Sequence, residues 1–150
     1  MTNPYRVLVT GSRLWDDEET IFAALADAWR QTGGEPFSAT GRPLVIVHGG
    51  CPTGADMIAV AWMRIYWRTH ARQEAHPAQG HPTQDFGSWP AAGPRRNAHM
   101  VSLGADLCLA FIGPCTKPNC RRPQPHDSHG ATNCAGLAEK AGIPTRRFTA

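Results

Sequence analysis

The sequence predicts an α/β fold: a single Rossmann-like domain whose mostly parallel sheet is flanked by helices, with a Cys/His-rich insert. Three observations carry this expectation. Short apolar runs alternate with segments whose apolar residues recur every three or four positions, the pattern of strand–helix–strand units. Glycine-bearing turns follow the first two apolar runs directly. The 150 residues, 41% hydrophobic and 18% charged, suit one ordinary globular domain that buries a core without disulfides.

Arg6 to Thr10 is the first expected strand, and Gly11-Ser12-Arg13 follows it at once. Asp16 reads as an N-cap with Glu19 completing a capping-box spacing. Ile21, Leu25 and Trp29 recur every fourth residue, so Asp17 to Gln31 is expected to be a helix, ended by Thr32 to Pro36. Leu44 to His48 is apolar enough for a central strand. A turn from Gly49 to Gly54 then leads into a helix from about Ala55 to Trp67, with Met57, Ile58, Ala61, Trp62 and Ile65 on a broad apolar face. Ala71 to Ala75 is a weak third strand, and His76 to Pro94, rich in Pro, Gly, His and Gln, reads as a surface loop. Arg95 to Leu103 restarts as a helix, Asp106 to Ile112 is the clearest buried strand, and Gly113 to Ser128 is irregular. Thr132 to Ala141 is the last helix, stopped by Gly142 and Pro144, and Thr145 to Phe148 closes the sheet.

Composition excludes several classes. No apolar run approaches the ~20 residues of a membrane span. Met1 to Arg6 leads straight into Val7-Leu8-Val9 without a signal-peptide stretch, so a cytoplasmic location is expected. There, five cysteines read as thiols or metal ligands before disulfides. A net charge of +3 tolerates a phosphate-bearing ligand but is no nucleic-acid footprint by itself.

The candidate site residues cluster in strand-to-helix turns. In Gly49-Gly50-Cys51-Pro52-Thr53-Gly54-Ala55-Asp56, glycines permit close approach of backbone to an anion, and the helix start favours negative charge. The stretch is neither a Walker motif nor the GxGxxG fingerprint; a tight structural turn would use the same glycines. Gly11, Ser12 and Arg13 sit at the carboxyl end of the first strand, where ligands bind in parallel open sheets. Arg13 offers a cation and Ser12 a hydroxyl, while Trp15 is placed to stack on a base or to cap a core edge. Arg95, Arg96 and Asn97 add donors at another helix start, or form a solvated basic turn. Cys108 reads as a core residue. Cys51, just before a helix N-terminus, is a small turn residue or a thiol of lowered pKa.

Together, Val9-Thr10-Gly11-Ser12-Arg13, the Gly-Gly/Gly-Ala-Asp turn and Arg96-Asn97 before an apolar strand resemble the SLOG superfamily, nearest its YspA/YpsA-related branch of bacteria and phages. Relatives in that superfamily are the Lonely Guy (LOG) phosphoribohydrolases and the Smf/DprA proteins. The resemblance spans nearly the whole chain and implies a Rossmann-like sheet with a site for a nucleotide or nucleotide-derived ligand. It also implies a last phosphate loop at Ser128 to Cys134, with Gly130 and Thr132 as its ligand contacts. LOG enzymes carry a catalytic glutamate there, and the corresponding position holds Cys134, which cannot stabilise an oxocarbenium ion. A binding, sensing or sequestering role is therefore expected first. Hydrolysis of an N-glycosidic or phosphate bond is the alternative, and single-stranded nucleic acid binding a further one, disfavoured by modest charge and dispersed aromatics. The expected partners are a nucleotide-derived small molecule and further copies of the chain, with no membrane.

The insert departs from the family. Cys115, Cys120, His126 and His129 follow a Cys-x4-Cys-x5-His-x2-His spacing, with Cys134 five residues on. Zinc requires four N or S ligands, and a proline-rich loop can wrap one. A structural zinc is expected, held within 113–134 by Cys115 and Cys120 with two of His126, His129 and Cys134.

Overall fold

The computed structural model describes residues 3–32, 42–66, 71–79 and 85–150. Their element order is β1 (Tyr5–Gly11), α1 (Glu18–Gln31), β2 (Leu44–His48), α2 (Ala55–Tyr66), β3 (Ala71–Ala75), α3 (Ala92–Ser102), β4 (Leu107–Ile112), α4 (His129–Lys140) and β5 (Thr145–Thr149). The five strands form one sheet in the order β3-β2-β1-β4-β5. Every pairing is parallel, with Val7 opposite Ile46 and Leu8 opposite Cys108. The sheet is thus wholly parallel, β1 is its middle strand, and β2, paired on both sides, is a central strand as expected.

Strand alternation divides the core in two. Val7, Val9, Leu44, Ile46, Leu109 and Phe111 pack with α1 and α2 on one face. Leu8, Val45, Val47 and Cys108 meet Met100 of α3 and Cys134 and Ala138 of α4 on the other. The runs of β2 and β4 are buried at every position, as strands covered on both faces require. The edge strands β3 and β5 instead carry Arg72, Gln73, Glu74, Arg146 and Arg147, whose polar character discourages further strand pairing.

Element boundaries differ from expectation at helix starts. The N-cap of α1 is Asp17 rather than Asp16: its carboxylate accepts from the Thr20 N–H at 3.1 Å, a partner three residues ahead. Helix α3 begins at Ala92, so Pro94 falls in the first turn, where no intrahelical N–H is needed. Helix α4 begins at His129, three residues before the expected start at Thr132, because Gly130 and Ala131 adopt helical geometry. Of the supposed surface loop after β3, His76 and Ala78 are buried. The end of that loop's glycine- and proline-rich middle (80–84), the expected helix end at Trp67 and the turn residues Gly33 to Pro36 lie outside the described residues. Among the described residues, no helix is long and apolar enough to cross a membrane.

Candidate functional site

In this strand order the chain leaves β1 on one side for β2 and β3 and on the other for β4 and β5. The crevice at the strands' carboxyl ends therefore opens between β1 and β4. The structure ties the surrounding turns together there. Ser12 N–H donates to Phe111 O at 3.0 Å, and the Ser12 hydroxyl accepts from Gly113 N–H at 2.8 Å. Gly54, with φ of +72°, presses against the same turn: a Cβ there would fall 2.2 Å from Ser12 O. A side chain at Gly54 is excluded both by that contact and by its left-handed backbone.

The turn after β2 is organised by its own side chains. Gly50 N–H donates to His48 Nδ1 at 3.0 Å, and His48 Nε2 lies 2.7 Å from Gln73 Oε1. Nδ1 accepts and Nε2 faces the amide oxygen, so these two bonds fix the orientation of the His48 ring between the turn after β2 and strand β3. Cys51 N–H donates to Asp56 Oδ2 at 3.1 Å. Burial of Asp56 raises its pKa, opposed first by His48, whose Nδ1 lies 4.0 Å from Asp56 Oδ2, then by the Cys51 amide, the Arg96 cation and the Gly49 amide. Asp56 thus takes up amides that the sequence reading offered to a phosphate, which leaves Thr53 and Gly54, just before α2, as the residues of this turn at the helix start.

Arg96 and Asn97 also have internal partners. The Arg96 guanidinium donates to Gly49 O at 2.7 Å and His76 O at 3.1 Å, while its Nε donates to Asn97 Oδ1 at 2.9 Å. Arg96 staples the turns after β2 and β3 rather than lining an open rim. Asn97 is buried and donates to Gly130 O at 3.3 Å and Asn133 Oδ1 at 3.1 Å, joining α3 to the first turn of α4. In that turn the Thr132 hydroxyl is shut off from solvent with no hydrogen-bond partner. Arg95 is exposed and donates to Phe86 O.

Of the two readings the sequence left open for Trp15, stacking on a base or capping a core edge, the structure shows the second, and it exposes a different tryptophan, Trp89. Trp15 is 6% exposed, donates its indole N–H to Asp17 O at 3.0 Å and packs on Phe111 with ring centroids 5.6 Å apart. Buried and with its polar atom bonded, it is a core residue and not a stacking surface. Trp89 is 50% exposed, and the Arg13 guanidinium lies 5.8 Å from its ring centroid. It went unremarked in the sequence because it sits within the segment read as a loop; a tryptophan just before a helix start was its only mark.

The insert forms a compact Cys/His centre. Pro114 and Asp127 make an antiparallel bridge, Cys115 N–H donates to His126 O at 2.7 Å, and Ser128 N–H donates to Gly113 O at 2.9 Å. This narrow ribbon brings one ligand atom each of Cys115, Cys120, His126 and His129 within 4.8 Å of one another. Cys120 Sγ is 3.4 Å from His126 Nε2 and 3.6 Å from His129 Nε2, and the two Nε2 atoms are 3.0 Å apart. Tetrahedral bonds of ~2.3 Å to sulfur and ~2.0–2.1 Å to nitrogen imply ligand separations of about 3.6 Å for S···N and about 3.3 Å for N···N. The cluster can hold a metal ion. His126 Nδ1 lies 2.9 Å from Pro123 O, which fixes the proton there and leaves Nε2 as the ligating atom. His129 is held below the usual imidazole pKa by desolvation, then by His126, Lys117 and Arg122, and so favours the neutral form that ligates.

Cys134 does not join these four. It is fully buried against Leu8, Val45 and Cys108, and burial pushes its thiol up to about 11. At that pKa it remains a neutral thiol, and the side chains clustered with Cys115 and Cys120 are His126 and His129. Cys108 is a core thiol pushed up to about 12 by burial. Neither is a nucleophile. The position that LOG enzymes give to a glutamate therefore faces the core, and the α4 side chain turned toward α3 is Asn133.

Comparison with known proteins agrees with this frame. The family model described as "YAcAr: YspA, cpYpsA-related SLOG family" matches residues 5–81, from β1 past β3. The "Gene 61 protein" of Mycobacterium phage D29 is 39% identical over 145 residues, covering 95% of each chain. No solved structure matches. The family match ends before α3, so the Cys/His ribbon and the donors of α3 and α4 lie beyond it.

Proposed function

The chain belongs to the YspA, cpYpsA-related SLOG family, and from that premise we propose that it binds a nucleotide or nucleotide-derived ligand at the carboxyl ends of its parallel strands, as a sensor or sequestering protein. The observation that carries this reading is convergence. The turn after β1, the start of α2, the turn after β4 and the start of α4 meet around one crevice, cross-linked through Ser12, Gly54, Gly113 and Asn97. Two helix N-termini facing one crevice favour a phosphate. Arg13 supplies the cation, and the N-termini of α2 (preceded by Thr53 and Gly54) and α4 (Gly130, Thr132) supply the dipoles. Binding is favoured over glycoside cleavage because Asp56, the carboxylate nearest this site, is buried and bonded to the turn's own amides.

The Cys/His centre is read as zinc. Two thiolates and two imidazoles are the donor set zinc selects over magnesium or calcium. Four protein ligands close the coordination sphere, so the ion's contribution is to order the 113–129 ribbon.

Calorimetric titration with a panel of nucleoside mono- and diphosphates tests the binding reading. Arg13→Ala is expected to weaken the tightest of them by about tenfold or more, the worth of one charge-assisted hydrogen bond, without lowering thermal stability. A wild-type protein that binds none of the panel, or an Arg13→Ala variant of unchanged affinity, overturns it.

A further inference from the structure

The turn that leads into α3 is fixed in place. Gly87 N–H donates to the Asp85 carboxylate at 2.8 Å, Ala92 N–H donates to Ser88 O at 3.1 Å, and Arg95 holds Phe86 O at 3.3 Å. The Phe86 ring rests on His99 with centroids 5.5 Å apart. This anchored turn presents Trp89, half exposed, beside the crevice. One edge of its six-membered ring is backed by Gly93 in the first turn of α3, where a Cβ would lie 2.9 Å from the indole. The other neighbour is the Arg13 guanidinium, a cation–π contact at 5.8 Å.

An indole fixed from behind, turned to solvent and covered by a cation is a ready stacking platform, because a guanidinium and a nucleobase are both planar groups that lie on aromatic rings. Arg13 follows β1 directly and Trp89 precedes α3, so the pair joins the phosphate end of the proposed site to its rim. We infer that Trp89 is the specificity-determining residue for the base: the ligand's aromatic heterocycle stacks on the Trp89 indole in place of the Arg13 guanidinium, which turns to the phosphate. This rests on the nucleotide-binding reading above and adds to it the chemical class recognised, a phosphate ester carrying an aromatic base rather than a phosphorylated sugar alone. In the free protein Arg13 shields the indole from water; in the complex it exchanges one attractive partner for another.

The test compares two probes, a nucleoside monophosphate and ribose 5-phosphate, on wild type, Trp89→Ala and Trp89→Phe. Trp89→Ala is expected to lose about 5- to 150-fold in affinity for the nucleotide, the range that loss of one stacked base produces. Its affinity for ribose 5-phosphate stays as in wild type, and Trp89→Phe keeps most of the nucleotide affinity. Circular dichroism and thermal melts establish that each variant is folded. Nucleotide affinity unchanged in Trp89→Ala, or an equal loss for both probes, overturns the stacking role while leaving the phosphate site standing. A wild type that binds ribose 5-phosphate as tightly as the nucleotide does the same. Failure of wild type to bind either probe overturns both readings together.

Discussion

Arg96 separates two views of this crevice: a rim cation that greets a ligand, or a buried staple that holds the rim in place. The structure supports the staple, and the consequence is a large loss of stability in Arg96→Ala. The guanidinium donates to the Gly49 and His76 carbonyls and to the Asn97 amide oxygen, at 2.7, 3.1 and 2.9 Å. Its burial lowers its own pKa, and the Asp56 carboxylate is the strongest influence restoring it. Hydrogen bonds from a charged group contribute about 1.5–3 kcal/mol each, but water entering the space left by truncation recovers part of three such bonds. What water recovers poorly is the simultaneous hold on two carbonyls from different turns. We therefore expect Arg96→Ala to lose about 2–4 kcal/mol, a drop in Tm of about 4–16 °C for a domain of this size. Arg96→Lys, able to reach one carbonyl but not two, should recover less than half. Urea unfolding at pH 7 with both variants measures this. A loss below about 1 kcal/mol for Arg96→Ala, the size of a surface substitution, would refute the staple and return Arg96 to the rim.

Elemental analysis of protein prepared without added metal or a histidine tag should find one zinc per chain, lost in Cys120→Ser and retained in Cys134→Ser. On chelation, hydrogen exchange should quicken across 113–129 while β1, β2 and β4 stay protected; less than about a tenth of an equivalent in wild type would count against the centre. A second expectation concerns acid. The Arg6 hydrogen bonds pull Glu74 from 4.5 to about 2, with His76 assisting. Because the folded pKa is depressed, the stability Glu74 contributes is fully present above pH 4.5 and is lost as pH falls toward 2. Partial exposure of the pair screens it to about 1 kcal/mol or less. Glu74→Gln should thus be less stable than wild type at pH 6 and equal to it at pH 2; a constant difference across that range would show that the charge is not what matters.

The fold was legible because parallel sheets leave a plain mark. Leu44 to His48 and Leu107 to Ile112 are buried on both faces, and an unbroken apolar run is what such a strand requires. That Cys115, Cys120, His126 and His129 would cluster was legible for a related reason, since a ribbon of fifteen residues, Cys115 to His129, keeps them close along the chain, whereas the exclusion of Cys134 from the cluster was not. Side-chain direction was not legible. Trp15 stands two residues from Arg13 and looked like its aromatic companion, yet Phe111, nearly a hundred residues on, draws it into the core. Trp89, 76 positions from Arg13 in the chain, is the indole that Arg13 reaches. Asp56 was placed correctly beside the turn, but nothing in its neighbours showed that the carboxylate would take up the Cys51 amide itself.

The same distinction explains why the metal centre stands where it does. Helix α4 begins poorly by local criteria: its N-cap residue Ser128 makes no side-chain capping bond, and glycine occupies its second position. A cap of that kind contributes about 1 kcal/mol, and glycine in a helix costs nearly as much. Yet Gly130 O and Asn133 must sit in register with Asn97 for the crevice wall to close. His129 is the first residue of that helix and one of the four clustered ligands. A metal ion bound there fixes the helix start from outside, through a side chain rather than a capping bond, and ties it to Gly113, whose N–H already meets Ser12. With a metal bound, coordination by the four clustered side chains would thus take the place of the missing cap of α4 and hold the last wall of the crevice against the first.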